Sequence, residues 1–332
     1  MKKKDLEKLA QLGSVSVSTV SKAIRHCPGV NDTTRQHILK LAEEQQLYPE
    51  DGAQQSLRVI LPDNPKYYWM DLYRGLRDVS TAAAPGQCRF EVYARMSETQ
   101  GVLRRYLQQI PLEETSLLIA AASGQAAVVQ RLRQLAGQLP VFLLTEYLDV
   151  PGAIFFGADA CGDAERLGHY FACAHPERRR ILCLTLPEAA THRQRVKGFF
   201  AAAGTAPRIL PLPQQEPLAA QIARLLYQAW QSTPFDAVYC TDGQLPFVCR
   251  SVLKAGLGGR VICVGHENPQ TNAPFFESGL LAATVEQDGY AQGRLAMQCA
   301  VQYLQQRTLP TQAVQTVPSR LYGAGGRLLE QT

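Results

Sequence analysis

Beyond residue 56 the chain alternates two patterns, short runs of consecutive apolar residues and longer stretches with an apolar residue every third or fourth position. The runs are Arg58–Leu61, Phe90–Tyr93, Ser116–Ala120, Val141–Leu144, Ala153–Phe156, Ile181–Leu184, Ala237–Cys240 and Val261–Val264. Between them, Leu72–Ala83, Gly101–Gln109, Ala126–Ala136, Ala164–Ala174, Val196–Ala202, Leu218–Gln231 and Leu245–Ala255 read as helices. Strands apolar throughout are buried on both faces, which predicts parallel sheets sandwiched between helices. So many units exceed one domain and predict an α/β body of two lobes, each a doubly wound parallel sheet. The lobes are placed at approximately 57–156 with 288–312, and 157–287 with 313–323. Ligands of open α/β sheets sit beyond the carboxyl ends of the strands, so the expected site is the cleft between lobes.

The first 49 residues follow a different rhythm. Leu6, Leu9, Ala10 and Leu12 have helical spacing, and Gly13 ends that helix. Ser16 suits the N-cap of a second helix, Val17–Arg25, with Val20, Ala23 and Ile24 inward and Val17, Ser18, Ser21, Lys22 and Arg25 outward. After Pro28-Gly29 a third helix starts near Asn31 or Asp32, with Thr33 and Gln36 spaced as a capping box and Ile38, Leu41 and Ala42 on its buried side. Two short helices joined by a tight turn, with a third behind, form a helix-turn-helix unit. A helical hairpin with a serine-rich surface is the plainer alternative.

Charge sharpens this division. The net charge is +5, and residues 1–42 hold eight Lys/Arg against three Asp/Glu, so the rest of the 332-residue chain is balanced. A basic excess confined to one small module is the footprint of a polyanion partner; a solvated basic tail would look similar. The nine cysteines are scattered without paired spacing, which reads as reduced thiols. No apolar stretch follows the basic start Met1–Lys8, and runs such as Leu117–Ala122 are too short to cross a bilayer. A cytoplasmic protein with no membrane association is expected.

The segment Leu9-Ala10-Gln11-Leu12-Gly13-Ser14-Val15-Ser16-Val17-Ser18-Thr19-Val20-Ser21-Lys22, continued by Val30–Arg35 and Leu47-Tyr48-Pro49, resembles the headpiece of the lactose repressor/galactose repressor family. The resemblance implies base contacts from Val17, Ser18 and Lys22. It implies DNA-backbone contacts from Leu6, Ser16, Thr19, Ser21, Arg25, Asn31 and Thr34. It also implies a homodimer, with a tetramer left open, on a double-stranded operator. Two features depart from the family. Gly13-Ser14 replaces its usual Ala-Gly turn, and the linker 50–56 is several residues short. Ala53, Gln54 and Gln55 align with the family's hinge helix, but Ser56 stands where a minor-groove leucine is expected.

A weaker resemblance to the family's sugar-binding core covers the body. It implies a sugar or sugar-phosphate effector bound by Tyr67, Tyr68, Trp69, Asp159, Arg195, Asp242, Glu267 and Gln287. Arg195 lies in Arg193–Phe199, similar to the family's arginine-x-x-glycine-aromatic element, and Gly265-His266-Glu267 replaces its glycine-aromatic-aspartate. Phe156–Asp159, Asp163–Glu165 and Leu321-Tyr322 are similar to the fructose repressor branch. Read without the resemblance, Asp159, Asp163 and Glu165 are a strand end and a helix first turn, where acids suit the dipole.

The chain contains no P-loop, GxGxxG, GxSxG or HExxH, and its six histidines have no metal spacing, most of them reading as surface or helix-capping residues. No enzyme activity, cofactor or metal is expected. The expectation is a DNA-binding regulator controlled by a sugar-like effector. The alternatives are a non-catalytic carbohydrate-binding protein, or a regulator whose DNA binding is altered by the short hinge.

Overall fold

Three helices open the chain: α1 (Lys3–Leu12), α2 (Val17–Ile24) and α3 (Asp32–Glu44). The computed structural model describes residues 3–24, 29–45, 56–63, 67–94, 101–213, 218–266 and 270–331. Leu9, Val20, Ala23 and Ile38 are fully buried between the helices, with Leu6, Ile24, Val30 and Leu41 packed around them. Leu12, expected on the apolar side of α1, is 46% exposed. The Ser16 Oγ accepts the Thr19 N–H at 3.1 Å, the N-cap that the sequence predicts. In α3 the cap is Asn31, whose Oδ1 accepts the Thr34 N–H at 2.8 Å, and not a Thr33/Gln36 box. A short amide side chain one residue outside the helix reaches its free N–H groups directly. Arg35 donates to the carbonyls of Lys22 and Ala23 (both 3.3 Å) and of Val30 (3.2 Å), tying α3 to the end of α2.

The remaining elements, in order, are β1 (Ser56–Asp63), α4 (Tyr67–Ala83), β2 (Cys88–Ala94), α5 (Val102–Gln108), β3 (Thr115–Ala121), α6 (Ala126–Ala136), β4 (Val141–Leu144) and β5 (Ile154–Gly157). Then come α7 (Ala160–Ala174), β6 (Ile181–Thr185), α8 (Ala190–Ala203), β7 (Arg208–Pro211), α9 (Leu218–Ser232), β8 (Ala237–Cys240), α10 (Leu245–Lys254), β9 (Ile262–His266), α11 (Ala273–Glu277) and β10 (Leu281–Gln287). The chain closes with α12 (Gly289–Gln306), β11 (Val314–Thr316), β12 (Ser319–Tyr322) and β13 (Leu328–Gln331).

These elements form two units, one of Met1–Pro65, Trp69–Gly157 and Tyr290–Gln315, the other of Lys66–Tyr68, Ala158–Gly289 and Thr316–Thr332. In the first, the strand order is β2-β1-β3-β4-β5-β11, and the pairs from β2 through β5 are parallel. In the second, the order is β7-β6-β8-β9-β10-β12-β13. Both contain the 2-1-3-4-5 arrangement of a doubly wound sheet. The second sheet is mixed, because β12 runs antiparallel to β10 and β13 antiparallel to β12. That corrects the expectation of a purely parallel second lobe. The extra strands are short and partly exposed, so they lack the fully apolar runs that mark buried strands.

Helices cover both faces of the second sheet. On one side α9 and α10 bury Ile222, Leu226, Val248 and Val252 against β6, β8 and β9. On the other, α7 and α8 bury Leu167, Phe171, Phe199 and Phe200. A Cβ at Gly198 of α8 would overlap the Cys161 carbonyl of α7, and one at Gly168 would overlap the Phe199 carbonyl. The two helices therefore pack at backbone contact, which holds the first turns of α8 close to the sheet. Gly198→Ala should destabilise the protein by about 1–3 kcal/mol in urea denaturation. An open helical glycine would instead gain about 1 kcal/mol from the same change.

Candidate functional site

In the second unit, the chain leaves β6 and β8 toward opposite faces of the sheet, so their carboxyl ends mark the switch point where such sheets bind ligands. Thr185 ends β6 and Thr241 follows β8; both are buried, and the Thr241 hydroxyl donates to that of Thr185 at 2.8 Å. Above them lies Arg195 of α8, only 6% exposed, donating from Nη1 to the Thr241 carbonyl at 2.6 Å. Its Nε is buried without a hydrogen-bond partner. His192, three residues earlier on the same helix face, places Nδ1 2.8 Å from the Thr241 hydroxyl and Nε2 3.9 Å from Asp242. Asp242 accepts the Gln244 N–H at 3.0 Å.

A second arm of the network comes from the strands. His266, at the end of β9, lies 2.8 Å through Nε2 from the Tyr239 hydroxyl, which also donates to the Arg195 carbonyl at 3.3 Å. The Tyr239 ring stacks on Phe199 at 4.0 Å. Burial, reinforced by the positive charge of Arg195, holds His266 well below the usual imidazole range, so it is neutral. Burial also pushes the Tyr68 phenol up, opposed by the Arg195 charge. The arrangement offers fixed donors and acceptors around one buried cation. That is the chemistry of binding a polar, multiply hydroxylated molecule.

Of the residues anticipated from the sequence, Arg195 and Asp242 join this network, and Tyr68 lies in the same unit within the field of Arg195. The aromatic trio begins α4, which starts five residues before the expected Leu72; Tyr67 is 55% exposed, and Trp69 belongs to the first unit. Asp159 is the N-cap of α7, accepting the Gly162 N–H at 3.0 Å. Gln287 ends β10 in register with Ser319. Asp163 is more than a dipole-favoured first-turn acid, because it is buried and takes 2.7 Å bonds from Arg166 and Ser319, tying α7 to β12. Glu267, Arg25, Ala53, Gln54 and Gln55 lie outside the described residues.

The sequence reading missed His192, Tyr239, Thr241 and His266. Most of the histidines read as surface or capping residues, whereas His266 is 2% exposed and His192 is half-buried. The three-residue spacing of His192 and Arg195 was the available signal.

In the three-helix segment, Val17 and Ser18 face solvent, while Thr19, Ser21 and Lys22 are half-buried. The Ser16 hydroxyl lies 2.8 Å from those of both Ser18 and Thr19, so these groups bond to one another. Leu6 packs on the local core, and the Asn31 side chain caps α3. Among the described residues, no group of three His, Cys, Asp or Glu side chains could hold a metal, and no helix is long and apolar enough to cross a membrane.

Residues 102–308 match the family model described as a periplasmic binding protein domain. Several solved structures share the fold. One is a Caulobacter myo-inositol binding protein with myo-inositol, with 18% identity and a TM-score of 0.69, covering 84% of this chain and 96% of that one. A glucose-galactose binding protein from Geobacillus stearothermophilus has 17% identity and a TM-score of 0.67, covering 81% and 98%. An Agrobacterium vitis solute binding protein with alpha-D-tagatopyranose has 16% identity and a TM-score of 0.69, covering 81% and 95%. No curated protein matches in sequence.

The neutral, buried His266 predicts a pH effect on stability. Below about pH 6.5 the unfolded chain takes up a proton that the folded His266 refuses, so stability falls as pH drops through that value. His175, also held low by burial, acts in the same sense. His266→Gln keeps a neutral hydrogen-bonding side chain opposite the Tyr239 hydroxyl but cannot titrate. Its loss of stability between pH 7.5 and pH 5 should be smaller than that of the parent when urea midpoints are compared.

Proposed function

The chain belongs to the periplasmic binding protein domain family, and we propose that it binds a sugar without transforming it and couples that binding to DNA binding by its N-terminal helices. Two supports are independent. For sugar binding, it is the buried network at the β6/β8 switch point, together with structural relatives whose bound molecules are sugars or a cyclitol. For DNA, it is the three-helix segment, which has its own apolar core, turns Val17 and Ser18 outward, and carries the whole excess of positive charge.

Taken alone, the relatives favour the second reading, a carbohydrate-binding protein with no DNA role. The N-terminal helices are what argue for the regulator. An α-helix with small residues at its outward start can enter the major groove, and a flanking lysine reaches a guanine edge. The proposed assembly is a cytoplasmic homodimer with one three-helix segment on each half of a two-fold operator, by the similarity to repressor headpieces described above.

Gel shifts of the full chain with a random duplex pool at low ionic strength test the DNA half. Binding should weaken linearly with the logarithm of salt concentration as counterions are released. Among sequences selected from that pool, Lys22→Ala should reduce discrimination by about 1–3 kcal/mol. Thermal shifts with D-allose, D-tagatose and myo-inositol test the sugar half. Stabilisation by a sugar without any DNA shift would leave the carbohydrate-binding reading alone standing.

A further inference from the structure

At the far end of the second sheet from the Thr185–Thr241 bond, the parallel strands β6, β7, β8 and β9 begin, and the helices α7–α10 that lead into them terminate. Four helix C-termini present unpaired carbonyls and the negative ends of their dipoles, so cations are favoured there. Six gather, Arg178, Arg179, Arg180, Arg208, Lys254 and Arg260, against two acids, Glu177 and Asp236. The next charges along the edge, Glu277 before β10 and Arg327 before β13, cancel.

Half of these cations are consumed by the fold. Arg208 donates to the carbonyls of Ala229 at 3.0 Å and Thr233 at 2.5 Å, closing the end of α9. Arg180 forks onto both carboxylate oxygens of Asp236, at 3.1 and 2.6 Å, joining the starts of β6 and β8. Arg178 donates to the Arg260 carbonyl at 2.7 Å and to Glu177 at 3.2 Å. Arg179, Lys254 and Arg260 differ: all three are exposed, and among the described residues none forms an ion pair. The Arg260 guanidinium lies over the Trp230 ring, 5.6 Å from its centroid, which orders it while leaving its in-plane N–H groups available. Beside it Leu253 is 52% exposed, its side chain against Gly258 of the loop that carries Arg260.

An apolar side chain flanked by ordered, unpaired cations is complemented by an acidic chain with apolar residues. Carboxylates fork onto the arginines, and an aliphatic side chain covers the leucine. A nucleic acid offers no such side chain and needs many more phosphate contacts for stable binding. A second copy meeting this face with its own would oppose like charges. We propose that this end of the sheet is a docking surface for an acidic, leucine-containing segment of a partner protein, held by Arg179, Lys254 and Arg260. The inference is independent of what the site at the other end of the strands binds.

Fluorescence anisotropy of the full chain with a labelled Glu/Leu peptide, near physiological ionic strength, tests it. The Glu/Leu peptide should bind at least about tenfold more tightly than its Gln/Leu counterpart, as charge-assisted pairs exceed neutral ones. Arg179→Glu combined with Arg260→Glu should weaken the Glu/Leu peptide by about tenfold or more and create affinity for a Lys/Leu peptide, a gain that a misfolded variant would not show. In a Trp69→Phe background, which leaves Trp230 as the sole tryptophan, binding should change its emission. No binding of the Glu/Leu peptide, or binding that survives the charge reversal, overturns the inference. So does a fall in duplex DNA binding that matches the loss of peptide, which assigns the surface to nucleic acid, or a change in sedimentation of the variant, which assigns it to a second copy.

Discussion

A strand buried on both faces can carry a polar group in its interior only where a partner meets it, as Glu91 meets Arg58 in β1, and that constraint favours the strand ends as the place for chemistry. In the second unit, β6 and β8 are buried along their length, and apart from the Tyr239 hydroxyl their polar side chains begin with Thr185 and Thr241 at the carboxyl ends. Once both connections leave toward opposite faces, these ends are where a ligand meets oriented groups without unravelling the sheet. The Thr185–Thr241 bond joins the two strands across that point, and the Thr241 carbonyl then anchors the buried guanidinium. Strand order, helix placement and the site are consequences of one burial pattern.

The position of Arg195 depends equally on close helix packing. With Gly198 against the Cys161 carbonyl and Gly168 against the Phe199 carbonyl, α8 has little room to slide along α7. Phe199, one turn beyond Arg195, is clamped by the Tyr239 ring, and the Tyr239 hydroxyl holds the Arg195 carbonyl from the strand side. Backbone and side chain of the same arginine are thus fixed by β8 and by Thr241, the residue that follows it, through two different bonds. Such double anchoring keeps a long, flexible side chain in one geometry before any ligand arrives, which lowers the ordering cost of binding.

This division explains what could be read from the sequence. Consecutive apolar runs revealed the central strands of the first sheet and β6, β8 and β9 of the second because full burial leaves a strong compositional mark; β10 (Leu281–Gln287), equally buried over its first five residues, was not read as a strand. The edge strand β7 alternates half-buried and exposed positions, and the antiparallel β12 and β13 are short and partly exposed, so none carried that mark. Arg195 and Asp242 were legible through their motif surroundings. His266 and Tyr239 were not, because their pairing is created by the alignment of β8 with β9, a register set by tertiary packing. The expected roles of Asp159 and Asn31 show the converse, since an acid or amide before a helix serves the backbone N–H groups nearest to it.

The three N-terminal helices show how local order and surface charge can compete for the same residue. Counting charges treats all eight basic side chains of residues 1–42 as available to a polyanion. Arg35 is engaged elsewhere: its guanidinium donates to the Lys22 and Ala23 carbonyls at the end of α2 and to Val30 beyond it. Those carbonyls lack partners inside an eight-residue helix and carry the negative end of its dipole, so a cation there is favourable. Arg35 thereby fixes how α2 leaves the segment, and with it the direction in which Val17 and Ser18 face. Arg35 keeps its charge, but its hydrogen-bond donors serve the geometry of α2.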